Sequence, residues 1–356
     1  MRSRGAYINA VAGAVPDHDI HRAYIDWARA QMTDRRLRSL FERMAERSGI
    51  EHRWSVLPRA AEGGSPVDPG GFYAERMPGT AERMQLYADA APDLALAAIG
   101  RLRDQIMLGA ITHLVVASCT GFVAPGVDQI IAARMELGDV ERTLVGFMGC
   151  YAAVAALRTA FHIVRSEPAA RVLVVTVELS SLHLRPMAEP EPLLAGLQFG
   201  DGAAAALVSA DPVGFGMTAQ FNATLPDSGE LIRWTIGDTG FEMTLSGEVP
   251  GRIGAALHEP RVRERLLGGW APADIDAWAV HAGGRSILDA VERGLELAPD
   301  ALDCSRRILA DFGNMSSSTL MFVLADLLAR PEKKRGVAIA FGPGLAAEGF
   351  RFERAE

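Results

Sequence analysis

Cysteine is scarce in this sequence, and the few that occur lie far apart. The 356 residues contain only Cys119, Cys150 and Cys304. An odd number of widely spaced cysteines does not make the disulfide framework of a small secreted domain. Cysteine and histidine also form no cluster at the spacing of metal ligands. We therefore expect a reduced protein without a bound metal.

Long apolar runs and an excess of positive charge are missing too. The N-terminus lacks the apolar stretch of a signal peptide, and no segment reaches the length of a membrane span. The formal net charge of −8 argues against general nucleic-acid binding and leaves no polybasic patch for a membrane surface. These absences predict a cytoplasmic globular protein that binds neither nucleic acid nor a membrane. A local arginine cluster can still bind a phosphorylated ligand.

Apolar residues make up 49% of the chain, which is enough for a large core. Strand-like and helical segments alternate, and this alternation predicts an α/β fold with a parallel or mixed sheet and helices on both faces. A weak internal echo accompanies the pattern, since Phe147-Met-Gly-Cys150 and Asp311-Phe-Gly-Asn314 each open a buried helix. The echo suggests two duplicated halves, which we place at residues 1–209 and 210–356.

The segment around Cys150 carries the first sign of chemistry. Thr143 to Met148 reads as a short buried strand, and the Ala, Val and Leu residues after Cys150 predict a buried helix. The thiol then lies in a strand-to-helix turn, where unpaired N–H groups and the helix dipole favour the thiolate. Cys150 is therefore a candidate nucleophile, and the alternative is an inert, small core residue.

Two further residues are candidates for partners of this thiol. Of eight histidines, only His281 ends an apolar strand and precedes a Gly-Gly turn, and strand ends are where sites form in α/β sheets. Asn314 follows a glycine at a predicted helix start, where its amide either caps the helix or donates to an oxyanion. We find no acidic residue placed to orient His281. A Cys–His–Asn set without such a carboxylate suits decarboxylative condensation of a malonyl thioester.

Several short motifs occur together in the order and spacing of type III polyketide synthases. They are Gly149-Cys150, His281-Ala-Gly-Gly284, Gly313-Asn-Met-Ser316 and Phe341-Gly-Pro-Gly344, with further matches at residues 83–87, 119–126 and 199–202. Over residues 6–352 the sequence resembles these chalcone-synthase-like enzymes of the thiolase-fold condensing superfamily. The resemblance implies a thiolase-like fold and a homodimer. It also implies that no cofactor is needed beyond the coenzyme A thioesters that serve as substrates.

The resemblance also implies roles for the three candidate catalytic residues. Cys150 holds the starter and the growing chain as thioesters, while His281 and Asn314 stabilise the malonyl enolate. His281 in addition keeps Cys150 ionised. The expected reaction extends an acyl-CoA starter with malonyl-CoA and closes the chain to a pyrone, resorcinol or phloroglucinol-type product.

Other matches concern the substrate cavity. Phe199 matches an aromatic gatekeeper of the family, whereas the second gatekeeper position holds Met243 in place of Phe. Cys119 and Trp234 replace the Thr and Gly of plant enzymes, as in bacterial relatives, and Ser316 matches a serine of the cavity floor. The resemblance is therefore to a bacterial-type enzyme, for which an aliphatic starter is expected.

Two arginines match positions that contact coenzyme A phosphates in the family. Arg43 and Arg47 lie four residues apart, on one face of a predicted helix, while Leu40 replaces a family lysine. Without the resemblance, such a pair usually marks a solvated helix face.

Two other enzymes remain as alternatives. An initiating β-ketoacyl-carrier-protein synthase shares the fold and the Cys–His–Asn set, although Phe341-Gly-Pro-Gly344 favours the polyketide synthase. A cysteine hydrolase of thioesters would need an activated water, and the sequence indicates no carboxylate for that purpose.

Overall fold

The computed structural model describes residues 5–61, 64–185 and 196–356. Nine of the described strands join one mixed sheet, and the other four form two short hairpin-like pairs. The described strands are β1 (Ala6–Ala14), β2 (His18–Asp19), β3 (Trp54–Ser55), β4 (His113–Ser118), β5 (Glu141–Gly146), β6 (Val172–Leu179), β7 (Asp201–Ser209), β8 (Phe215–Thr224), β9 (Ile232–Gly237), β10 (Gly240–Leu245), β11 (Ala277–Val280), β12 (Arg335–Gly342) and β13 (Ala346–Arg354).

Strand order in the large sheet is β11-β12-β13-β8-β1-β7-β6-β4-β5. The pairs β11–β12, β6–β4 and β4–β5 are parallel, and the remaining pairs are antiparallel. The short pairing of β1 with β8 joins the strands of the two predicted halves. The mixed sheet that the sequence predicted is therefore confirmed.

Helices cover both faces of this sheet. The described α-helices are α1 (His21–Gln31), α2 (Arg35–Arg47), α3 (Thr80–Arg103), α4 (Val127–Arg134), α5 (Ala152–Ser166), α6 (Val249–His258), α7 (Pro260–Leu267), α8 (Arg285–Leu295), α9 (Asp303–Phe312) and α10 (Ser317–Leu328). Within the part of the chain that the structure describes, no helix is long and apolar enough to cross a membrane.

Successive residues of the central strands pack into different layers, because side chains alternate across a sheet. In β4, Val115 and Ala117 contact the layer of α5 and α10, whereas Leu114 and Val116 contact α3 and α4. On the other side of α5 and α10, alanines of β11 and β12 complete the same core. Helices α6 and α8 cover the outer face of these strands. The two helices that follow Cys150 and Asn314 thus lie in the middle of the molecule.

Strand β5 differs from the prediction in both its bounds and its burial. It spans Glu141–Gly146 rather than Thr143 to Met148, and most of its residues are exposed. The reason is its place at the edge of the large sheet, beyond β4. An apolar composition such as Leu-Val cannot by itself distinguish a central strand from an edge strand.

Candidate active site

Cys150 lies in a single 3₁₀ turn, Gly149–Tyr151, that leads directly into α5. Gly149 has φ +71°, and a side chain there would collide with the ring of Pro343. Gly342 is also constrained, since a Cβ at that position would lie 2.6 Å from the ring of Tyr151, the residue after Cys150. The Phe341-Gly-Pro-Gly344 motif therefore packs against the turn that presents the thiol.

His281 directly follows β11, which pairs with β12, the strand that leads into the Phe341-Gly-Pro-Gly344 motif. Its backbone nitrogen donates to Ile339 in β12 at 2.8 Å, which continues the parallel pairing of β11 with β12. The side chain is 1% exposed, and neither ring nitrogen has a hydrogen-bond partner among the described residues. Burial lowers the pKa of His281 to about 4, so that the imidazole is neutral near pH 7.

Asn314 connects these parts. Its backbone pairs with the segment around Phe199, with Asn314 N donating to Gln198 O at 2.8 Å. Its side-chain Nδ2 donates to Gly283 O at 3.2 Å, in the turn that follows His281. Its Oδ1 accepts from Ser316 N at 2.8 Å. The Nδ2 of Asn314 thus links its turn, after α9, to the turn after β11. Its Oδ1 binds within its own turn.

The thiol of Cys150 is held in its neutral form by its surroundings. Burial raises the pKa of Cys150 to about 12, and the charge of Glu178 acts in the same direction. Hydrogen bonds from the side chains of Ser316 and Asn314 oppose this rise, and Ser316 Oγ lies 3.8 Å from Cys150 Sγ. The prediction that the helix end favours the thiolate is therefore wrong, because desolvation outweighs the helix dipole at this depth.

Glu178 is a residue that sequence reasoning missed. It lies in β6, is fully buried, and has a raised pKa because of that burial. One carboxyl oxygen accepts from Cys119 N at 3.0 Å and Thr120 Oγ1 at 2.9 Å. The other accepts from Cys119 Sγ at 3.2 Å and Ser317 Oγ at 2.5 Å. A single glutamate in the otherwise apolar run of β6 was the signal that could have revealed it.

Sequence analysis indicated no carboxylate placed to activate a water, and Glu178 is the buried carboxyl group that this expectation has to be weighed against. Ser316 Oγ joins the two thiols, at 3.3 Å from Cys119 Sγ and 3.8 Å from Cys150 Sγ, so that Cys119 and Ser316 connect Glu178 to Cys150. The carboxyl nevertheless accepts four hydrogen bonds from protein donors. A carboxylate offers about four lone-pair sites, and hence Glu178 has little capacity left to activate a water.

Three of the predicted cavity residues come together. Trp234 and Met243 lie opposite each other in the β9–β10 hairpin, and with Phe199 they line one cavity. The indole Nε1 of Trp234 donates to Cys119 O at 2.7 Å, which places this ring between the cavity and the Glu178 network. Cys119 and Ser316 lie in that network and do not line the cavity.

His183 is a second residue that sequence reasoning missed. It connects the β9–β10 hairpin to the segment that contains Thr120. Its Nε2 is 2.8 Å from Thr120 O, and its Nδ1 accepts from Phe241 N at 3.0 Å. The ring stacks on Phe241 with centroids 4.3 Å apart. Burial lowers the pKa of His183 to about 3, and the neutral ring can therefore donate to one partner and accept from the other.

The predicted phosphate contacts lie at the surface beside the site. Arg43 and Arg47 are both exposed on α2, and neither forms an ion pair with a described residue. The backbone oxygen of Arg47 accepts from Arg285 Nη1 at 3.3 Å, and Arg285 begins the helix after the His281 turn. Within the described residues, no group of three or more His, Cys, Asp or Glu side chains is arranged to bind a metal.

Family comparisons match the chain along almost its whole length. One model, described as the N-terminal domain of chalcone and stilbene synthases, matches residues 1–212. Another, described as the C-terminal domain of the same enzymes, matches residues 217–354.

Individual proteins show the same similarity. The alpha-pyrone synthesis polyketide synthase-like Pks18 of Mycobacterium tuberculosis is 35% identical over 304 residues, which cover 81% of this chain and 77% of that protein. The 1,3,6,8-tetrahydroxynaphthalene synthase of Streptomyces peucetius is 32% identical over 360 residues, covering 97% and 92%.

Solved structures agree with this assignment. The C-terminal type III polyketide synthase domain of Steely1 from Dictyostelium has a TM-score of 0.88 at 25% identity, covering 99% of this chain and 100% of that chain. PKS-I from the brown alga Ectocarpus siliculosus has a TM-score of 0.87 at 26% identity, covering 98% of each chain. With the layered sheet, these neighbours confirm the predicted thiolase-like fold.

Proposed function

This chain belongs to the chalcone and stilbene synthase family and is a type III polyketide synthase, an acyl-condensing transferase, and we propose that Cys150, His281 and Asn314 are its catalytic residues. In this proposal Cys150 accepts a starter acyl group from an acyl-CoA. Malonyl-CoA then extends the bound chain by decarboxylative condensation.

The observation that carries the proposal is the unsatisfied ring of His281. A buried polar group without partners costs free energy, and such groups in native proteins usually have a functional reason. Neutral His281 can accept the proton of Cys150 as the sulfur attacks the thioester carbonyl. The carbon–sulfur bond to coenzyme A then breaks, and the same proton passes to the departing coenzyme A sulfur.

Asn314 and His281 act again on the malonyl thioester. Loss of CO₂ leaves its electron pair on the α-carbon as an enolate, whose oxygen takes hydrogen bonds from Asn314 Nδ2 and the imidazole N–H. The enolate carbon attacks the acyl carbonyl on Cys150, which forms the new carbon–carbon bond and releases the Cys150 sulfur. Two neutral donors suit this step, because no strong base has to remove a proton from carbon.

The two alternatives are less well supported. A thioester hydrolase of the kind considered needs a carboxylate to activate a water, and Glu178 already accepts four protein hydrogen bonds. An initiating carrier-protein synthase would share the catalytic residues. The family comparisons favour the polyketide synthase, since both matched models describe chalcone and stilbene synthases.

The cavity favours an aliphatic starter. Apolar side chains such as Leu57, Val67 and Leu184 line it together with Phe199 and Trp234. Burying methylene groups against such walls stabilises a bound chain by about 0.8 kcal/mol for each CH₂. We propose that the extended chain then cyclises to a pyrone, resorcinol or phloroglucinol-type product. The names of two relatives, an alpha-pyrone and a tetrahydroxynaphthalene enzyme, are in line with cyclic products.

Coenzyme A is proposed to lie along α2. Arg43 and Arg47 are exposed cations without acidic partners among the described residues, and Arg285 brings the turn after His281 next to the end of this helix. Phosphate groups bind such arginines through charge-assisted hydrogen bonds. The reaction as proposed uses only coenzyme A thioesters and no separate cofactor.

A homodimer is the proposed assembly, with the exposed strand β5 in its interface. This edge strand has unpaired backbone groups, and Leu144 and Phe122 beside it are 46% and 42% exposed. Such an edge invites pairing with another chain. Replacing Leu144 by Glu should lower the molar mass measured by light scattering to that of one chain, and an unchanged mass would contradict this interface.

The division into halves at residues 1–209 and 210–356 also stays a proposal, supported by the facing positions of α5 and α10. We place the enzyme in the cytoplasm, because its three free cysteines are suited to a reducing compartment.

The nucleophile is tested by mass spectrometry of the acyl-enzyme. Incubation with an acyl-CoA should add the acyl mass to the peptide that contains Cys150, and Cys150→Ala should abolish both this adduct and condensation. Cys119→Ala serves as the matched control, since it removes the neighbouring thiol. An adduct on Cys119, with activity surviving Cys150→Ala, would overturn the assignment.

A further inference from the structure

Arg53 is a buried cation in the cavity wall that the proposed chemistry does not use. Its side chain is 1% exposed, and it lines the cavity together with Phe199 and Trp234. Burial lowers the pKa of Arg53 to about 10, so that the guanidinium stays charged near pH 7. The Cζ atom of its guanidinium lies 4.6 Å from the centroid of the Tyr24 ring. A buried charge normally needs a partner for each of its donors.

Not all donors of this guanidinium have partners. Nε donates to His21 Nδ1 at 2.9 Å, and Nη1 donates to the backbone oxygens of Gly196 and Phe199. Nη2 is buried and has no partner among the described residues. The charge of nearby Asp201 raises the pKa of Arg53, but its carboxyl accepts from Ser181 and Val56 instead. Two N–H groups of a cation are therefore left for a ligand.

Arg83 shows what a purely structural arginine looks like in the same region. It is 0% exposed, lies over the ring of Tyr73, and also has an Nη2 without a described partner. Its Nη1 donates to Leu182 O and Leu184 O, just as Arg53 Nη1 donates to backbone oxygens. The two arginines differ in location, because Arg53 lines the cavity and Arg83 does not.

Arg53 lies on the opposite side of one short segment from the candidate active site. The segment 198–200 lies between the two, since Arg53 Nη1 donates to Phe199 O while Asn314 N donates to Gln198 O. Arg53 lines the same cavity as Phe199, together with the apolar side chains of Leu57 and Leu184.

We propose that Arg53 Nη2 recognises an acceptor oxygen at the far end of the starter acyl group, a carboxylate being preferred. The starter class is therefore an aliphatic acyl-CoA with an ω-carboxyl or ω-hydroxyl group. A carboxylate ranks first because charge-assisted hydrogen bonds are about twice as strong as neutral ones. This inference rests on the proposed function, since it assumes that a starter is loaded on Cys150.

Matched pairs of starters test the proposal with the intact protein. We would measure the kcat/KM of loading onto Cys150, by mass spectrometry, for butyryl and succinyl, hexanoyl and adipoyl, and octanoyl and suberoyl thioesters of coenzyme A. The ω-hydroxy analogue of each length separates an uncharged acceptor from a carboxylate. At the best length, the carboxylate should exceed the methyl-ended starter by at least about tenfold, with the hydroxyl between them.

Two substitutions then assign the preference to Arg53. In Arg53→Met the ratio of carboxylate-ended to methyl-ended loading should fall to within about twofold, whatever the change in the absolute rate of loading. Arg53→Lys, which retains the charge, should keep part of the preference. Arg83→Met is the matched control, since it removes an equally buried guanidinium outside the cavity, and it should keep the whole preference.

The outcomes separate this inference from the proposed function. If methyl-ended starters load and extend normally, but no carboxylate preference is found at any length, the inference is overturned and the proposed function stands. A preference that persists in Arg53→Met also overturns it. If no starter of any kind loads on Cys150, the proposed function itself fails. Should Arg53→Met not fold, the wild-type panel and Arg53→Lys still decide the question.

Discussion

Two buried polar groups beside Cys150 are treated in opposite ways by the fold. Glu178 accepts hydrogen bonds from Cys119, Thr120 and Ser317, and its acceptor sites are filled. His281 is as deeply buried, yet neither ring nitrogen has a partner among the described residues. A satisfied group holds its neighbours in place, whereas an unsatisfied one is free to move a proton. The comparison supports the proposed chemical role of the imidazole and leads us to expect that the carboxyl only positions its neighbours.

The largest difference is expected between substitutions of these two residues. His281→Ala should slow loading of Cys150 by about 10²–10⁴-fold, which is the usual contribution of a positioned acid–base group. Glu178→Gln should slow it by less than about tenfold, because hydroxyls such as Ser317 Oγ can rotate to accept from the new amide. Single-turnover formation of the acyl-enzyme measures both. Comparable losses in the two variants would refute the comparison.

A substitution of Asn314 should affect the two half-reactions, loading of Cys150 and condensation, to different extents. Asn314→Ala should cost condensation about 3 kcal/mol, as for a lost oxyanion donor, while loading suffers less because His281 remains. The side chain also accepts from Ser316 N, so the alanine variant loses a structural contact as well.

Asn314→Asp is the control for that contact, because it keeps the acceptor for Ser316 and removes the Nδ2 donor. It should lose condensation like the alanine variant. Malonyl-CoA decarboxylation and acyl loading are assayed separately, and equal losses in both would contradict a specific role at the enolate.

The pH dependence of stability examines His281 without any assay of activity. The folded pKa of His281, about 4, lies below the unfolded value of 6.5. The contribution of its neutral imidazole to the free energy of unfolding is therefore fully present above pH 6.5 and is lost as the pH falls through 4. The shift corresponds to about 3 kcal/mol. His281→Gln should therefore lose about that much less stability than wild type between pH 7 and pH 4, by urea unfolding. Parallel curves for the two proteins would show that the imidazole is not held neutral.

The smallest effect on stability is expected at the cavity wall. Trp234 is half-buried and lines the cavity, whereas Trp278 is 2% exposed in the core behind β11. Trp278→Gly should cost about 3–5 kcal/mol and lower all products together. Trp234→Gly should leave the thermal midpoint nearly unchanged while shifting product length, starter range or ring type. A destabilised Trp234 variant with unchanged product ratios would rule out the wall role.

The sequence indicated a candidate site residue only where a reactive side chain also stands at a recognisable local position, such as the end of a strand. Cys150, His281 and Asn314 each follow a recognisable strand or glycine, and the side chain of Asn314 interacts with both the Cys150 thiol and the turn after His281. Whether they carry out the reaction stays a prediction. Glu178 and His183 were missed because their partners lie on other elements, such as Thr120 and Phe241, which no local pattern connects to them.

Local sequence determined which segments become strands and helices, and the order of its short motifs indicated the family. Tertiary structure alone decided how deeply each element is buried. The exposed edge of β5 and the raised pKa of Cys150 both depend on that depth. Periodicity and helix dipoles act over a few neighbouring residues, whereas desolvation depends on every element packed around a group. The thiol that the turn was expected to ionise is therefore kept neutral by the whole fold, and the proposed reaction then needs a base, for which His281 is the candidate.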